Sequence, residues 1–271
     1  MKISKFAPSV SPGKKFHLDR IPTRPAKGDD SAAVTLERLL TAETARTFRL
    51  QARLAAEGKR ALLVVLQGMD TSGKDGIIRH VFAGLNPAGV TVTAFKVPTE
   101  EERRHDFLWR IHRAVPGGGT IGIFNRSHYE DVLVVRVHEL ASKDVIEKRY
   151  DQINAFEKHL SQNGVTILKF FLHISKEEQK HRLEERLADP DHLWKFNPGD
   201  LGERKLWMSY QDAYENALDR CNTKWAAWRV VPADSKPFAR WIVAKTIRKT
   251  LQALDPKPPK PAFDPKTIKI V

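Results

Sequence analysis

Short apolar runs alternate with amphipathic stretches along most of the chain. The run from Ala61 to Gln67 (ALLVVLQ) is short, continuous and apolar, which is typical of a buried parallel strand. Four more strands are predicted at Val90–Phe95, Thr120–Phe124, Thr166–Ile174 and Trp228–Val231. Helical patterns lie around them, at about 74–85, 99–114, 142–163, 175–188, 200–221 and 235–254. Strands that alternate with helices predict a parallel, doubly wound sheet.

The two ends of the chain differ from this alternating middle. Residues 1–30 are rich in Pro, Gly and Lys and are predicted to form an extended arm. A helix is predicted from an N-cap at Ser31 to Glu57, with Gly58 ending it. We therefore predict an N-terminal arm and helix at 1–57, one α/β domain at 58–255 and a C-terminal tail at 256–271.

Composition and charge limit the possible classes of function. Hydrophobic residues make up 41% of the 271 positions and charged residues 29%, which indicates a globular protein. The apolar run Ala61 to Leu66 is too short to span a bilayer, so we expect a soluble cytoplasmic protein without a membrane partner. Cys221 is the only cysteine and is expected to be structural. The net charge of +13 suggests a polyanionic partner, and nucleic acid, a membrane surface and polyphosphate all fit on charge alone.

The strongest motif is a glycine-rich loop, GMDTSGK, with the spacing G-x-x-x-x-G-K that ends at Lys74. It follows a predicted strand and precedes a predicted helix, which is the context that a P-loop requires. Backbone N–H groups and the helix N-terminus would then bind phosphate, and Lys74 would reach a phosphate oxygen. A plain glycine-rich turn is the less favoured alternative. The predicted phosphate and nucleotide contacts in this loop are Gly68, Met69, Thr71, Ser72 and Gly73.

Two acids belong to the same loop. Asp75 stands where a P-loop usually has Ser or Thr, and its carboxylate offers Mg²⁺ a full charge. Asp70 adds a second carboxylate. Because these acids would repel an anionic substrate unless metal ions lay between them, the sequence predicts a magnesium-rich site. The alternatives are a first-turn helix residue for Asp75 and an Asx-turn residue for Asp70.

A second polar cluster follows the strand predicted at Thr120–Phe124. Asn125 occupies the position of a Walker B acid but carries no charge. Arg126 could pair with a phosphate oxygen, and a structural salt bridge is its alternative role. Glu130 and Asp131 could restore the missing negative charge for Mg²⁺ or for the acceptor.

The stretch from Ser175 to Tyr210 is dense in charge. Arg182 and Arg186 are four residues apart, so both project from one face of the predicted helix. Nucleotide kinases use such arginines in a lid that gathers phosphates and excludes water. On spacing alone, a solvated helix of alternating charge is an equal alternative. Asp189-Pro190 and Asn197-Pro198-Gly199 break the segment into pieces that could hinge.

Taken together, these motifs resemble family 2 polyphosphate kinases. The resemblance is carried by GMDTSGKDG (68–76), NPAGVTVTAFKVPTEEERRHDFLWR (86–110), FNRSHYEDVLVVRV (124–137) and ISKEEQKHRLEERLADPDHLWKF (174–196). It runs from about Glu57 to Ile247. It implies an α/β fold of the P-loop kinase, thymidylate kinase-like class, with three α/β/α layers, a mostly parallel five-stranded sheet and a helical lid at about 175–210. It also implies a basic channel for polyphosphate, dependence on Mg²⁺ and assembly as a homodimer or homotetramer.

Carried over to this sequence, the resemblance assigns roles to individual residues. Catalytic roles are expected for Asp70, Lys74, Arg126 and Asp131, metal binding for Asp70, Asp75 and Asp131, and phosphate or nucleotide binding for the loop residues together with Asn125, Glu130, Arg182 and Arg186. The common family form has an acid where this chain has Asn125. The sequence resembles a branch with Asn there and Glu-Asp at 130–131, whose members accept nucleoside monophosphates as well as diphosphates.

The expected reaction is transfer of the terminal phosphoryl group of polyphosphate to AMP and ADP, giving ADP and ATP, with guanine nucleotides as further acceptors. An ordinary ATP-dependent nucleotide kinase is the first alternative, since it shares the loop and the lid. A nucleic-acid binder is the second, but the sequence has no zinc-ligand spacing and its basic residues are spread through the domain. We expect no nucleic-acid partner.

Overall fold

A five-stranded parallel sheet forms the centre of the structure, a computed structural model that describes residues 15–25, 33–191, 193–264, 267–268 and 270. The strands are β1 (Ala61–Gln67), β2 (Val90–Ala94), β3 (Ile121–Asn125), β4 (Val165–His173) and β5 (Trp228–Pro232). Their order across the sheet is β2-β3-β1-β4-β5. Each strand lies within one residue of its predicted bounds, because a buried strand can be recognised in the sequence as a local apolar run.

The helices cover both faces of the sheet. Their bounds are α1 Ala33–Glu57, α2 Lys74–Val81, α3 Glu100–Arg103, α4 Trp109–Arg113, α5 Val134–Val137, α6 Lys143–Gln162, α7 Lys176–Ala188, α8 Gly199–Lys205, α9 Trp207–Arg220 and α10 Lys236–Leu254. The connection from β1 to β2 leads towards the β2 edge of the sheet. The connections from β2 to β3, from β3 to β4 and from β4 to β5 all lead towards the β5 edge. Right-handed crossovers therefore place α2 on one face and α4, α6 and α9 on the other. Helix α10 contacts both α1 and α2, so these three share a layer. The predicted α/β/α arrangement is confirmed.

The strand register brings the predicted functional segments to one edge of the sheet. Leu66 at the end of β1 lies opposite Asn125 at the end of β3, and Gln67 lies opposite Phe171 of β4. Strand β1 is buried along its whole length, as the central strand of a sheet covered on both faces must be. The glycine-rich loop and the 125–131 segment therefore emerge side by side from the buried centre of the sheet.

Two of the predicted helices are broken. The pattern at 99–114 forms α3 and α4, separated by a turn in which the Leu108 N–H donates to Asp106 Oδ1 at 2.9 Å. This local side-chain bond competes with the helical ladder, which explains the break. The pattern at 200–221 forms α8 and α9, which meet at Leu206. A 3₁₀ turn at His128–Asp131 was not predicted.

The described part of the N-terminal arm is docked on the domain and is not a free extension. Leu18 is buried, and its N–H donates to Glu215 Oε1 at 2.7 Å. The Asp234 N–H donates to the Thr23 carbonyl at 3.0 Å. The predicted N-cap Ser31 and most of the arm lie outside the described residues. Cys221 is buried, as a structural cysteine would be, and burial raises the pKa of its thiol to about 12.

None of the helices in the described part of the chain combines the length and apolar character needed to cross a bilayer.

Candidate active site

The glycine-rich loop joins β1 to α2 with a left-handed backbone at two glycines. Gly68 has φ +154°, and a Cβ atom there would lie 2.7 Å from Ser72 Oγ and 2.8 Å from the Leu172 carbonyl oxygen. Gly73 has φ +101° and is the N-cap of α2. Side chains are strained at such angles, so the two glycines let the loop turn tightly onto the start of the helix. The N-terminus of α2 is thereby presented at the end of β1, in the geometry of an anion site.

Lys74 crosses back over its own loop. Its Nζ donates to the carbonyl oxygens of Gly68 at 2.8 Å and Met69 at 3.1 Å, and lies 3.4 Å from Ser72 Oγ. Burial lowers the pKa of Lys74 to about 8, and the positive charge of Arg126 acts in the same direction. The ammonium thus lies beside the cleft with oxygens of its own loop as partners, and a phosphate oxygen could replace them.

The 125–131 segment lies against this loop. Arg126 has φ +63°, and its N–H donates to the Leu66 carbonyl at 3.1 Å. Its Nη2 donates to Asp70 Oδ1 at 2.8 Å, and its Nη1 lies 3.6 Å from Glu130 Oε2. Burial raises the pKa of Glu130 although Arg126 and Lys74 oppose this shift. Arg126 of the 125–131 segment and Asp70 of the glycine-rich loop are thus in direct contact.

Asn125 binds the second acid of the loop. Its Nδ2 donates to Asp75 Oδ1 at 2.7 Å. An acid at position 125 would instead face Asp75 as a like charge. The amide therefore orients the Asp75 carboxylate without adding negative charge to the cleft.

Asp131 is the predicted catalytic and metal-binding residue that the structure places elsewhere. It is buried, its Oδ1 lies 3.4 Å from Arg149 and its Oδ2 lies 4.0 Å from Arg110. Burial raises its pKa, and the two arginines limit that shift. Asp131 does not line the cleft described below. Its carboxylate contacts these two arginines and is not brought together with Asp70 and Asp75, so its catalytic and metal-binding roles stay predictions.

The two predicted lid arginines differ from one another. Arg182 is buried and donates to the carbonyl oxygens of Thr71 at 2.9 Å and Ala233 at 2.6 Å, while its Nε donates to Glu178 at 2.7 Å. It therefore ties the glycine-rich loop to the end of β5 and does not move freely. Arg186 is partly exposed, lines the cleft and lies 3.8 Å from Asp200.

A cleft of about 1140 Å³ opens over the loop and collects most of the predicted residues. Those that line it are Asp70, Thr71, Ser72, Gly73, Lys74, Asp75, Asn125, Arg126, Arg182 and Arg186. Gly68, Met69 and Glu130 lie behind this surface and contact residues that line it.

Four basic residues of the cleft were not predicted from the sequence: Arg79, Lys96, Lys236 and Arg240. Lys236 and Arg240 are four residues apart at the start of α10, directly after β5. Their position beyond the carboxyl end of a strand was a signal that could have identified them. Arg79, Lys236 and Arg240 extend the positive charge of the loop along α2 and α10 as a basic wall of the cleft, in which Lys236 is paired with Glu185 at 2.8 Å. Lys96 follows β2, at the opposite edge of the sheet from β5.

The acids of the cleft supply oxygen ligands of the kind that Mg²⁺ prefers. Asp200, which was not predicted, also lines the cleft, and burial and the Asp70 charge raise its pKa. Asp70, Asp75 and Asp200 thus offer carboxylate oxygens along the cleft. Their oxygens do not converge as they stand: among the described residues, the three side chains whose possible ligand atoms lie within 4.8 Å of one another are His17, Asp19 and Glu215, outside the cleft.

Comparison with known proteins agrees with this geometry. Residues 31–259 match the family profile described as Polyphosphate kinase 2 (PPK2). A Meiothermus ruber protein named AMP/ADP-polyphosphate phosphotransferase is 48% identical over 252 residues, covering 93% of this chain and 94% of that protein. A Rhodopseudomonas palustris protein named ADP-polyphosphate phosphotransferase is 43% identical over 266 residues, covering 94% of this chain and 92% of that protein.

A solved structure shares the fold over nearly the whole chain. The crystal structure of polyphosphate kinase 2 from Arthrobacter aurescens TC1 superposes with a TM-score of 0.90 at 45% sequence identity, covering 94% of this chain and 91% of that one. The matching profile, the relatives and the shared fold cover the same residues that build the glycine-rich loop and the cleft. The chain belongs to the polyphosphate kinase 2 family.

Proposed function

We propose that the protein is a polyphosphate:nucleotide phosphotransferase that moves the terminal phosphoryl group of inorganic polyphosphate to AMP and ADP, giving ADP and ATP, in a reversible and Mg²⁺-dependent reaction. One observation carries the proposal. A phosphate-binding loop ending at Lys74 opens into a cleft whose basic wall continues well beyond the loop. The relatives named for polyphosphate-dependent transfer support the same reaction.

The donor is inferred from the length of the basic wall. Arg79 belongs to α2, whereas Lys236 and Arg240 belong to α10, so the positive charge spans two helices beside the loop. A nucleoside triphosphate donor carries three phosphates and needs only the loop and its immediate neighbours. A longer run of cations suits a longer chain of phosphates, since each phosphate of the chain carries negative charge.

Direct in-line transfer needs mainly positioning and charge neutralisation. Lys74 and Arg126 stabilise negative charge on the transferring group, and Asp70 orients the attacking phosphate oxygen. That oxygen is already ionised near neutral pH, so no strong general base is required. Asp70 and Asp75 would hold Mg²⁺, which when bound neutralises charge between the phosphates of donor and acceptor.

The lid is proposed at about 175–210. Helix α7 carries Arg182, which anchors the loop, and Arg186, which lines the cleft opposite Asp70 together with Asp200. We assign the gathering of phosphates to Arg186 and the fixing of the loop to Arg182. The hinges are proposed at the breaks 189–190 and 197–199.

An ATP-dependent nucleotide kinase remains the alternative, and one incubation separates the two. The protein is mixed with ADP, Mg²⁺ and polyphosphate, without ATP, and with AMP in place of ADP in a parallel sample. Formation of ADP from AMP, and of ATP from ADP in excess of the ATP formed without polyphosphate, supports the proposal. If no nucleotide product forms with polyphosphate, but ADP forms from AMP when ATP is the donor, the alternative is established.

Four finer points complete the proposal. We propose adenine nucleotides as the preferred acceptors, with guanine nucleotides second, and neither nucleic acid nor membrane as a partner. We propose a homodimer or homotetramer and a cytoplasmic location. Light scattering of the purified protein tests the assembly, and acceptor competition between AMP and GMP tests the base preference.

A further inference from the structure

A lysine lies in the middle of the sheet, where parallel strands are normally apolar. Lys169 belongs to β4 (VTILKFFLH), between β1 and β5, and is completely buried. Its ammonium lies 5.1 Å from the centre of the Tyr129 ring and 5.0 Å from that of Trp228. A buried charge is costly unless it is paired and fully hydrogen-bonded.

Every N–H donor of this ammonium has an acceptor. Nζ donates to Glu157 Oε2 at 2.6 Å, to Tyr129 Oη at 2.7 Å and to the Cys221 carbonyl at 2.7 Å. A lysine ammonium has three donors, and all three are used. The three acceptors belong to α6, to the turn after β3 and to the C-cap of α9. Lys169 therefore joins three elements that are distant in sequence.

Glu157 completes the network from the other side. It is buried, its Oε1 accepts from Tyr129 Oη at 2.8 Å, and the same oxygen lies 3.2 Å from His128 Nε2. Burial alone would raise the pKa of Glu157, but Lys169 and His128 lower it below its ordinary value. Two consecutive residues of the 3₁₀ turn are thus bound to one buried carboxylate.

This turn is part of the segment that carries two residues of the candidate active site, Arg126 and Glu130. Arg126 precedes it in a left-handed conformation, and Glu130 belongs to it. On the side of the glycine-rich loop, Gln67 Nε2 donates to Ser127 Oγ at 3.1 Å. The segment that presents Arg126 is therefore held at one end by the strand before the loop and at the other by the buried pair.

We propose that Glu157 and Lys169 are positioning residues, which hold the 125–131 segment through Tyr129 and His128 so that the Arg126 guanidinium stays beside Lys74 and Asp70. Apolar residues of similar volume would fill this part of the core at no greater cost, so packing alone does not account for the pair. The proposal rests on the proposed function only for the identity of the substrate.

The test uses Tyr129→Phe, which removes the hydroxyl that links the turn to the pair and leaves the ring in place. It is made in the wild-type protein and in an Arg126→Ala background, giving four proteins. The double variant Glu157→Gln/Lys169→Met removes both charges and is examined in the same two backgrounds. The pair Glu43 and Arg248, at 2.6 Å between α1 and α10, supplies the control Glu43→Gln/Arg248→Met.

Two readouts are taken, kcat/KM for polyphosphate and the dissociation constant of tripolyphosphate measured by calorimetry. When Arg126 is present, we expect Tyr129→Phe to lower kcat/KM and to weaken tripolyphosphate binding, each by about tenfold. In the Arg126→Ala background the same substitution should change each readout by less than about twofold, because a misplaced guanidinium accounts for the loss. The control should lower thermal stability and leave both readouts unchanged.

Unchanged kcat/KM and tripolyphosphate binding in Tyr129→Phe would contradict the positioning role. So would an equal loss in these two readouts with and without Arg126. The binding measurement needs no turnover. If the wild-type protein fails to make nucleotide from polyphosphate while tripolyphosphate binding still shows the Arg126-dependent loss, the proposed function fails and the positioning role stands. If the wild-type protein is active and the coupling is missing, the positioning role fails alone.

Discussion

Arg126 and Asp70 are joined by a hydrogen bond of 2.8 Å across the entrance of the glycine-rich loop. Both side chains are partly exposed, at 41% and 29%, so each is accessible to a ligand of the cleft. The guanidinium is the group we assign to the transferring phosphate, and the carboxylate is the group we assign to Mg²⁺. Under the proposed function, a phosphate and a metal ion would each compete with this hydrogen bond for one of its two groups.

Replacing Arg126 with Ala tests this competition. We expect kcat to fall by about 10²–10³, as for loss of one preorganised group that stabilises transition-state charge. Divalent-ion binding by the protein alone should become tighter, because Asp70 loses its partner. Steady-state kinetics and calorimetry with Mn²⁺ measure the two effects. Arg126→Lys keeps the positive charge but not the planar guanidinium, and its kcat should lie between those of the wild-type protein and Arg126→Ala. An unchanged kcat would remove Arg126 from the site.

Lys74 should make the reaction sensitive to alkaline pH. Burial lowers its pKa to about 8, and the form that neutralises phosphate is the protonated one, so the active fraction falls as pH rises above that value. We expect kcat/KM, which reports the free protein, to decline above about pH 8, whereas bound phosphates keep the lysine charged and hold kcat constant to higher pH. Lys74→Arg should have a lower kcat/KM, and that value should not change with pH over this alkaline range. A wild-type profile that stays flat to pH 10 would argue against the lowered pKa.

Arg182 and Arg186 should separate stability from turnover. Arg182→Ala removes a buried guanidinium that binds Glu178 and the carbonyls of Thr71 and Ala233, so we expect a loss of about 3 kcal/mol in the free energy of unfolding. Arg186→Ala removes a partly exposed cleft residue and should change stability little while lowering kcat/KM. Urea unfolding and kinetics on both variants decide the matter, and a stable Arg182→Ala protein would refute its anchoring role.

Gly68 offers a steric test of the loop with an internal control. Gly68→Ala places a methyl group 2.7 Å from Ser72 Oγ at φ +154°, so the loop must shift. A displacement of about 1 Å at a catalytic group can cost about 100-fold in rate, and we expect a loss of that order. Gly202→Ala, in α8, meets nothing within 4 Å and should leave activity intact. Equal activity of the two variants would show that the loop geometry is not critical.

Much of the fold follows from local features of the sequence. The strands are short apolar runs, and the loop is a contiguous motif between a strand and a helix, so both could be located without tertiary information. The break between α3 and α4 was missed because it depends on one Asp106 side-chain bond inside an otherwise helical pattern. Periodicity alone does not detect such a competing bond.

The roles of individual site residues depend on long-range contacts and were harder to predict. Asp131 follows a strand end as a metal ligand would, but Arg149, 18 residues later, binds it away from the cleft. Arg182 has lid-like spacing, yet its partners are the carbonyls of Thr71 and Ala233, which only the folded chain brings together. Helical spacing shows which residues share a face but not what that face contacts.

The central claim is that a phosphate chain bound at the loop of Lys74 gives its terminal phosphoryl group to a nucleotide. The most direct measurement is transfer of ³²P from labelled polyphosphate to AMP or ADP, followed in the wild-type protein and in Lys74→Ala after circular dichroism has shown that both are folded. We expect label in the nucleotide for the wild-type protein, none retained on the protein, and a rate lower by orders of magnitude for Lys74→Ala. Failure of the wild-type protein to label the nucleotide, or equal labelling by Lys74→Ala, would contradict it.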